Sequence, residues 1–351
     1  MAGSGSSTAA RPASARAGRG RLWRASLGLV VSLALVAVIL AKVDEEQVWR
    51  HLRDARPLPL VVAVILATIP FGLRVFRWRI LLRADGGGAI PYRPLWHAIA
   101  MGFTANNVLP LRAGEVVRTY AISRLAGVRF ATAFSSVAVE RVFDGMAVIL
   151  LFAVGLFLSG LPAGTTIGGV AVASAATKAG IAVVAALLLA ALVVGFPHWA
   201  ERAVRAVVPA SRLADRLVGL IEGVVHGLHV LRSPGRIAAV ALWSLALWTV
   251  NGLSFYAAFF AFDIPVGVAG ALLLQGLLII GISLPSTPGY VGVFEGVVIA
   301  ALAVYGISSE RALSYALAYH VTTFLPITLL GAWSLARTNL GLRQLGREAK
   351  S

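Results

Sequence analysis

Long apolar segments most constrain what this chain can fold into. A helix of about 20 predominantly apolar residues crosses the hydrocarbon core of a bilayer. Six windows of that length are predicted as spans, at residues 22–41, 58–82, 131–159, 172–196, 237–262 and 312–335. With 58% hydrophobic and only 13% charged residues, the chain has too few polar side chains to cover a water-exposed surface. We therefore expect an all-α polytopic membrane protein.

Two further apolar stretches, 94–126 and 268–305, are interrupted near their middle. The segment 106–110 breaks the first stretch, and 284–289, with its two prolines and glycine, breaks the second. Backbone groups freed at a break cannot face lipid and are tolerated only inside protein or beside a watery cavity. We predict that both stretches are re-entrant broken-helix hairpins.

The distribution of charge indicates the orientation. Although the net charge is +16, the basic residues lie between apolar segments rather than along one face, which argues against a nucleic-acid partner. Arginines concentrate in both tails, in 74–93 and in 197–236, whereas 42–57 is balanced and 160–171 is uncharged. Because positive loops stay inside, we expect a multi-pass protein of a bacterial-type inner membrane with both termini cytoplasmic.

The chain divides into three predicted regions. Residues 1–20 form a disordered basic tail, 21–340 the transmembrane domain, and 341–351 a cytoplasmic tail. Within the domain, 197–236 has apolar residues at helical spacing with arginines between them, which is typical of an amphipathic segment at the cytoplasmic interface.

The order of elements suggests an internal duplication. Each half, about 21–160 and about 172–336, contains two spans, a broken hairpin and a final span. On the expected orientation the first hairpin enters from the cytoplasm and the second from outside. The halves would then be inverted repeats, which in secondary transporters place a binding site near the membrane midplane.

Polar residues in the spans and at the breaks are the candidate binding residues, since each intramembrane charge costs on the order of 2.5–3.5 kcal/mol. Glu140 and Asp144 share a helix face, and Arg141 reaches Asp144 at i,i+3. These residues form either a structural ion pair or a site in which Arg141 contacts phosphate. The full candidate set is Asn107, Pro110, Arg112, Gly114, Glu115, Arg118, Glu140, Arg141, Asp144, Pro285, Thr287, Pro288, Gly289, Glu295 and His320.

The helices that follow the breaks are candidate anion cradles. A helix N-terminus presents N–H groups and a partial positive charge, and Arg112 and Arg118 lie beside the first of these helices. Close helix packing is the alternative for the glycines, and snorkelling is the alternative for Arg118. Glu115, Glu140, Glu295 and His320 are the candidate titrating groups.

No cofactor is expected. The chain has no cysteine, no histidine-rich metal motif and no GxxxxGK[ST] nucleotide-binding motif. We expect neither a metal site nor a nucleic-acid partner.

Three segments, 107–115, 140–144 and 284–296, resemble the signature segments of the flippase-like integral membrane family, which is named for the transmembrane region of lysylphosphatidylglycerol synthases. The resemblance covers roughly residues 20–340. It implies an inner-membrane protein that handles polar lipids, with flippase activity in the best-understood members. Full-length synthases add an aminoacyl-transferring domain after the membrane region. Because this chain stops at Ser351, we do not expect it to aminoacylate a lipid.

These observations favour a translocase for a phospholipid or a polyprenyl-phosphate-linked headgroup, held by a midplane anion cradle between the broken helices. A membrane lipid is the expected partner. The alternatives are a membrane-embedded transferase with Glu140 or His320 as base, and a non-transporting accessory subunit of a separate lipid-modifying enzyme. The absence of paired acids and metal motifs favours a transporter over an enzyme.

The topology can be tested with single cysteines introduced into this cysteine-free chain. A membrane-impermeant maleimide should label the outer positions in intact cells, at residues 45–55, 165 and 307. It should label the inner positions only after permeabilisation, at residues 88, 215 and 345. Labelling of residue 215 from outside would contradict the inverted-repeat model.

Overall fold

The structure is a computed structural model, and it describes part of the chain. The described residues are 30, 32–84, 87–109, 113–162, 164–167, 169–174, 177–178, 180–181, 184–185, 199, 202, 205–206, 218, 233–282, 288–338 and 340. Several predictions lie wholly or largely outside them: both tails, the N-terminal part of the span 22–41, much of the span 172–196, most of the segment 197–236, and the candidate residues Pro110, Arg112, Pro285 and Thr287.

The described chain is an all-α membrane protein apart from one very short hairpin of strands. In chain order its elements are α1 (32–40), α2 (Glu45–Arg53), α3 (Pro57–Leu81), α4 (Tyr92–Val108), α5 (Gly114–Ala126), α6 (Phe130–Leu158), β1 (Thr166–Ile167), β2 (Val170–Ala171), α7 (Pro234–Phe259), α8 (Val268–Gly281), α9 (Val293–Ala303) and α10 (Ser309–Thr338). Among described residues, α3, α6, α7 with its 3-10 continuation, and α10 are long and apolar enough to cross a membrane. They coincide with four of the six predicted spans.

Both predicted helix breaks are confirmed. The first apolar stretch folds as α4 and α5, and α4 ends where Leu109, the residue before a proline, becomes extended. The second folds as α8 and α9 with a short 3-10 turn, Pro288–Tyr290, between them. Gly289 and Gly292 have φ angles of 74° and 83°, in the left-handed region that glycine adopts without strain. The two helices of each pair pack against one another.

The packing between the halves is reciprocal. Helices α3 and α7 lie along each other, α6 packs on α8, and α10 packs on α4. Each final span therefore contacts the broken hairpin of the opposite half. Two large apolar clusters support this arrangement, one in the first half around Trp78 and Ile99, and one in the second half around Phe259 and Tyr315.

A glycine lies at each contact between a final span and the opposite hairpin, that is, between α6 and α8 and between α10 and α4. A Cβ on Gly155 of α6 would lie 2.8 Å from the carbonyl oxygen of Ala269 and 2.8 Å from the amide nitrogen of Leu273, both on α8. A Cβ on Gly331 of α10 would overlap Thr104 of α4. Small residues let membrane helices approach closely, so these glycines fix the distance between the halves.

We expect Gly155→Ala to destabilise the protein by about 1–3 kcal/mol, because the added methyl group overpacks the α6–α8 contact. Gly296→Ala in α9 is the matched control, since no described atom lies within 4 Å of a Cβ there and alanine favours helix. Thermal unfolding in detergent, followed by tryptophan fluorescence, measures both. Equal transition temperatures for the two variants would contradict the packing argument.

Candidate functional site

A cavity of about 590 Å³ lies between the two halves, within the size range of small-molecule sites. Its walls come from α3 to α6 on one side and from α7 to α10 on the other. Both breaks border it, through Asn106 and Asn107 at the first and Tyr290 at the second. The predicted polar residues of the two halves are thus brought to one place.

Two buried carboxylates of α6 lie at the centre of the first-half wall. Glu140, whose side chain is 0% exposed, accepts two hydrogen bonds from Arg118, at 2.9 and 2.6 Å. Its other partners are Arg77 at 2.9 Å and Arg141 at 3.0 Å. The carboxylate is therefore fully engaged by arginines, which compensates the cost of burying its charge.

Asp144 lies one turn further along the same face. It accepts hydrogen bonds from the Arg77 guanidinium and from the Trp248 indole N–H, the latter at 2.9 Å. Arg141 Nη2 lies 3.2 Å from its Oδ2, so the predicted i,i+3 ion pair is confirmed. The pair is one part of a larger network.

Two of the arginines, Arg74 and Arg77, belong to the segment that the sequence analysis assigned to the positively charged cytoplasmic boundary. The structure places both in the protein interior, with exposures of 7% and 0%. Their burial adds a role that the charge pattern did not predict: both arginines approach the acids of α6, because a buried carboxylate needs a cationic partner.

The cluster carries an excess of positive charge. Among the described residues, four arginines, Arg74, Arg77, Arg118 and Arg141, face three carboxylates, because Glu115 also lies 4.0 Å from Arg141. Four positive and three negative charges leave a net charge of +1. An anion entering the cavity would balance that charge, and the partial exclusion of water would strengthen the attraction.

Arg74 has a hydrogen-bond donor that is not used within the described chain. Its Nη1 atom is buried and has no hydrogen-bond partner in the described chain; the nearest carboxylate oxygens lie 3.6 Å away on Asp144 and 3.8 Å away on Glu140. The guanidinium lies against the Phe103 and Trp248 rings, and it lines the cavity. Buried donors are normally paired, so an unpaired guanidinium N–H at a cavity indicates a ligand-binding position.

Arg141 also lines the cavity and is 44% exposed, far more than the other three arginines of the cluster. It bonds both acids from one side and presents the rest of its guanidinium to the cavity. Arg118 instead lies 4% exposed over the Trp78 ring, at 3.9 Å. Arg141 and Arg74 are therefore the cations best placed to meet a ligand, while Arg77 and Arg118 hold the acids.

The first N–H groups of the hairpin helices are already bonded within the protein. The Gly114 N–H donates to Asn106 Oδ1 at 2.8 Å, and the Gly292 N–H donates to Glu295 Oε2 at 2.6 Å. A Cβ on Gly114 would overlap the Gly102 carbonyl oxygen and the Asn106 side chain, so Gly114 does serve close packing of α4 and α5. These two N–H groups are not free to bind an anion. The arginines are therefore the better candidates for that role.

The second-half wall carries a different pair. His320 Nδ1 lies 2.6 Å from Glu295 Oε1, and the His320 ring packs on Phe294 with ring centroids 4.6 Å apart. His320 lines the cavity, whereas Glu295 lies behind it. Asn107 donates to Thr328 Oγ1 of α10 at 2.8 Å, which ties the first break to the second half.

The structure brings most of the predicted site residues together. Those that line the cavity are Asn107, Gly114, Glu115, Arg118, Arg141, Asp144 and His320. Glu140 and Glu295 do not line the cavity, but they bond to residues that do: Glu140 to Arg118, and Glu295 to His320. Pro288 and Gly289 lie at the second break outside the cavity wall, where a Cβ on Gly289 would lie 3.0 Å from the Phe324 ring.

Four residues of this region were not among the predicted site residues: Arg74, Arg77, Trp248 and Gln275. The first two carried a usable signal, since they lie within an apolar window and are spaced to share a helix face. Trp248 and Gln275 gave no such signal, because a single tryptophan or glutamine in an apolar helix is compatible with packing alone.

A second cavity, of about 680 Å³, lies among α3, α4 and α10. Its arginines, Arg93 and Arg337, are exposed, and none of the described residues lining it is a carboxylate. The cavity with the buried ion cluster is therefore the candidate site. Within the described residues, no group of three or more histidine, aspartate or glutamate side chains is arranged to hold a metal ion.

Comparison with known proteins gives one family. The model of the family described as the lysylphosphatidylglycerol synthase TM region matches residues 26–331. The chain is also 30% identical over 353 aligned positions to a protein named Glycosyltransferase AglD from Haloferax volcanii, covering 90% of this chain and 54% of that protein.

Two relatives carry only a membrane-protein name. A UPF0104 membrane protein of Methanocaldococcus jannaschii is 26% identical over 142 positions, covering 39% of this chain and 42% of the relative. Another, from Methanothermobacter thermautotrophicus, is 22% identical over 321 positions, covering 86% of this chain and 91% of the relative. The chain thus spans about half the length of the glycosyltransferase, less than half of the first UPF0104 protein, and nearly all of the second.

We expect Arg77→Gln to destabilise the protein by about 3–5 kcal/mol, because it leaves two buried carboxylates short of a partner. Arg141→Gln should cost less than about 1 kcal/mol, since Arg141 is partly exposed and both acids keep other arginines. Thermal unfolding in detergent compares them. Equal destabilisation by the two substitutions, or no rescue of Arg77→Gln by Asp144→Asn, would contradict this division of roles.

Proposed function

This chain belongs to the family of the lysylphosphatidylglycerol synthase transmembrane region, and from that premise we propose that it translocates a phosphate-bearing lipid headgroup across the membrane. The lipid is a phospholipid or a polyprenyl-phosphate-linked lipid. The observation that carries the proposal is the cavity between the halves, with its net positive ion cluster and the unpaired Arg74 donor.

Phosphate fits this wall better than other polar groups do. Arginine guanidinium groups bind phosphate oxygens through charge-assisted hydrogen bonds. Arg74 and Arg141 both line the cavity, and both lie near the same oxygen of Asp144, Oδ2, at 3.6 and 3.2 Å. A phosphate between them would take the free Arg74 donor and balance the excess charge of the cluster.

Reciprocal packing supports an inverted repeat and alternating access. Equivalent helices of the two halves occupy equivalent contacts: α3 with α7, α6 with α8, and α10 with α4. Gly155 and Gly331 occur at the two matching crossings. Rocking of one half against the other about α3 and α7 would open the cavity to either side in turn. We place both termini in the cytoplasm on the arginine distribution.

One comparison favours a second candidate function. The similarity to a protein named a glycosyltransferase suggests that the same cavity presents a lipid phosphate to a sugar-transferring enzyme, as an accessory subunit without transport. The geometry gives less support to direct catalysis by this chain. Glu140 is bonded by three arginines, which makes it a poor general base.

We expect purified protein in proteoliposomes to accelerate the loss of dithionite-protected fluorescence from an NBD-labelled phosphatidylglycerol. Arg74→Gln and Arg141→Gln should each slow this by about 10- to 100-fold, because each removes a charge-assisted hydrogen bond to phosphate. Arg124→Gln, an exposed arginine outside the cavity, is the control and should act like the wild type.

Equal rates in liposomes with and without the wild-type protein would exclude translocation of this lipid. If the protein binds the lipid yet does not move it, and stimulates a glycosyltransferase that uses a lipid phosphate, the accessory function is the correct one.

A further inference from the structure

One buried side chain of the cavity is not used by the ion cluster. Gln275 of α8 is 1% exposed and lines the cavity, yet neither its amide oxygen nor its amide nitrogen has a hydrogen-bond partner in the described chain. A buried amide left unpaired costs free energy comparable to the hydrogen bonds it lacks. Such a group beside a cavity is explained if a ligand supplies its partners.

The surroundings of Gln275 offer it little else. Leu278 and Ile279 follow it on the same helix and line the cavity beside it. On α7, a Cβ at Gly252 would lie 3.3 Å from Gln275 Oε1, so the glycine leaves space for the amide. Asn251, next to that glycine, also lines the cavity. The Gln275 amide is thus buried at the wall of the cavity, next to Gly252 of α7, with both of its polar atoms lacking a described partner.

The charges of the cavity disfavour a cationic headgroup. Of its two described lining carboxylates, Asp144 is paired with Arg77 and Arg141, whereas Glu115 is 34% exposed and lies 4.0 Å from Arg141. An ammonium group entering here would meet a net positive cluster, and the partly exposed carboxylate among the described lining residues, Glu115, already lies beside Arg141. An aminoacyl ester such as lysyl, with two ammonium groups, would be repelled.

An amide both donates and accepts hydrogen bonds, as a hydroxyl group does. We propose that Gln275 is a specificity residue, and that the headgroup carried with the phosphate is neutral and rich in hydroxyl groups, as in a glycosyl phosphate lipid, rather than aminoacylated. Arg74 and Arg141 hold the phosphate, and Gln275 bonds the attached polyol. This inference rests on the proposed lipid-phosphate site and adds the chemical class of the group beyond the phosphate.

The test compares three lipids with identical acyl chains, bound to the purified protein in detergent micelles. Phosphatidylinositol carries a neutral polyol on its phosphodiester, phosphatidylmethanol carries only a methyl group at the same charge, and lysylphosphatidylglycerol carries a cationic ester. Wild-type protein should bind phosphatidylinositol about tenfold more tightly than phosphatidylmethanol, and lysylphosphatidylglycerol least tightly.

Two substitutions separate recognition of the polyol from effects on folding. Gln275→Leu should lower the affinity for phosphatidylinositol to that for phosphatidylmethanol, and leave the latter unchanged. Ser334→Ala is the matched control, because the Ser334 hydroxyl is also buried without a partner among described residues but does not line the cavity. It should leave all three affinities as in the wild type. If Gln275→Leu does not fold, Gln275→Met replaces it.

The outcomes distinguish this inference from the proposed function. Arg74→Gln should weaken phosphatidylinositol and phosphatidylmethanol equally, which tests the phosphate site alone. Preference for lysylphosphatidylglycerol, or equal binding of the two anionic lipids by the wild type, overturns the assignment of Gln275 while the phosphate site stands. So does an equal loss of both anionic lipids in Gln275→Leu. If neither anionic lipid binds the wild type, the proposed function itself fails.

Discussion

The arrangement of the first half depends on the burial of two carboxylates on α6. Glu140 and Asp144 are removed from water, and a buried ion costs several kcal/mol unless it is paired. Their partners come from α3, α5 and α6 itself, and the Trp248 indole adds a donor from α7. The pairing of these acids therefore fixes α3, α5, α6 and α7 relative to one another. All four of these helices contribute residues to the cavity wall.

The cluster does more than neutralise itself, because the arginines outnumber the acids. Arg77 and Arg118 are buried and bond the carboxylates directly, whereas Arg74 has a donor without a described hydrogen-bond partner and Arg141 is partly exposed; Arg74, Arg118 and Arg141 all line the cavity. Chemically identical side chains of the cluster thus differ in their exposure and in the hydrogen-bond donors that they leave unused. The same low-dielectric surroundings that make the acids costly also increase the attraction of the spare guanidinium groups for an anion.

Sequence reasoning predicted the membrane helices, both breaks and the Glu140–Arg141–Asp144 group, because intramembrane charges and mid-helix prolines are conspicuous in an apolar sequence. It could not predict which partners the acids would choose. Arg77 is 67 residues from Asp144, and its inward direction depends on how α3 packs against α6. The capping of Gly114 by Asn106, across the first break, likewise depends on the fold of the hairpin and not on local spacing.

The two sides of the cavity differ in charge. Where the first half presents arginines to the cavity, the second presents His320, held by Glu295, together with the neutral amide of Gln275. If the halves rock against each other, a phosphate bound to Arg74 and Arg141 stays with the first half, while the group attached to it exchanges contacts with the second. The charged hydrogen bonds to the arginines would then hold the phosphate until the cavity has opened to the other side of the membrane. Weaker neutral hydrogen bonds would act on the second side, where contacts must break and re-form during each cycle. Arginines on one side and neutral polar groups on the other would therefore suit a transporter better than an arginine cluster on each side.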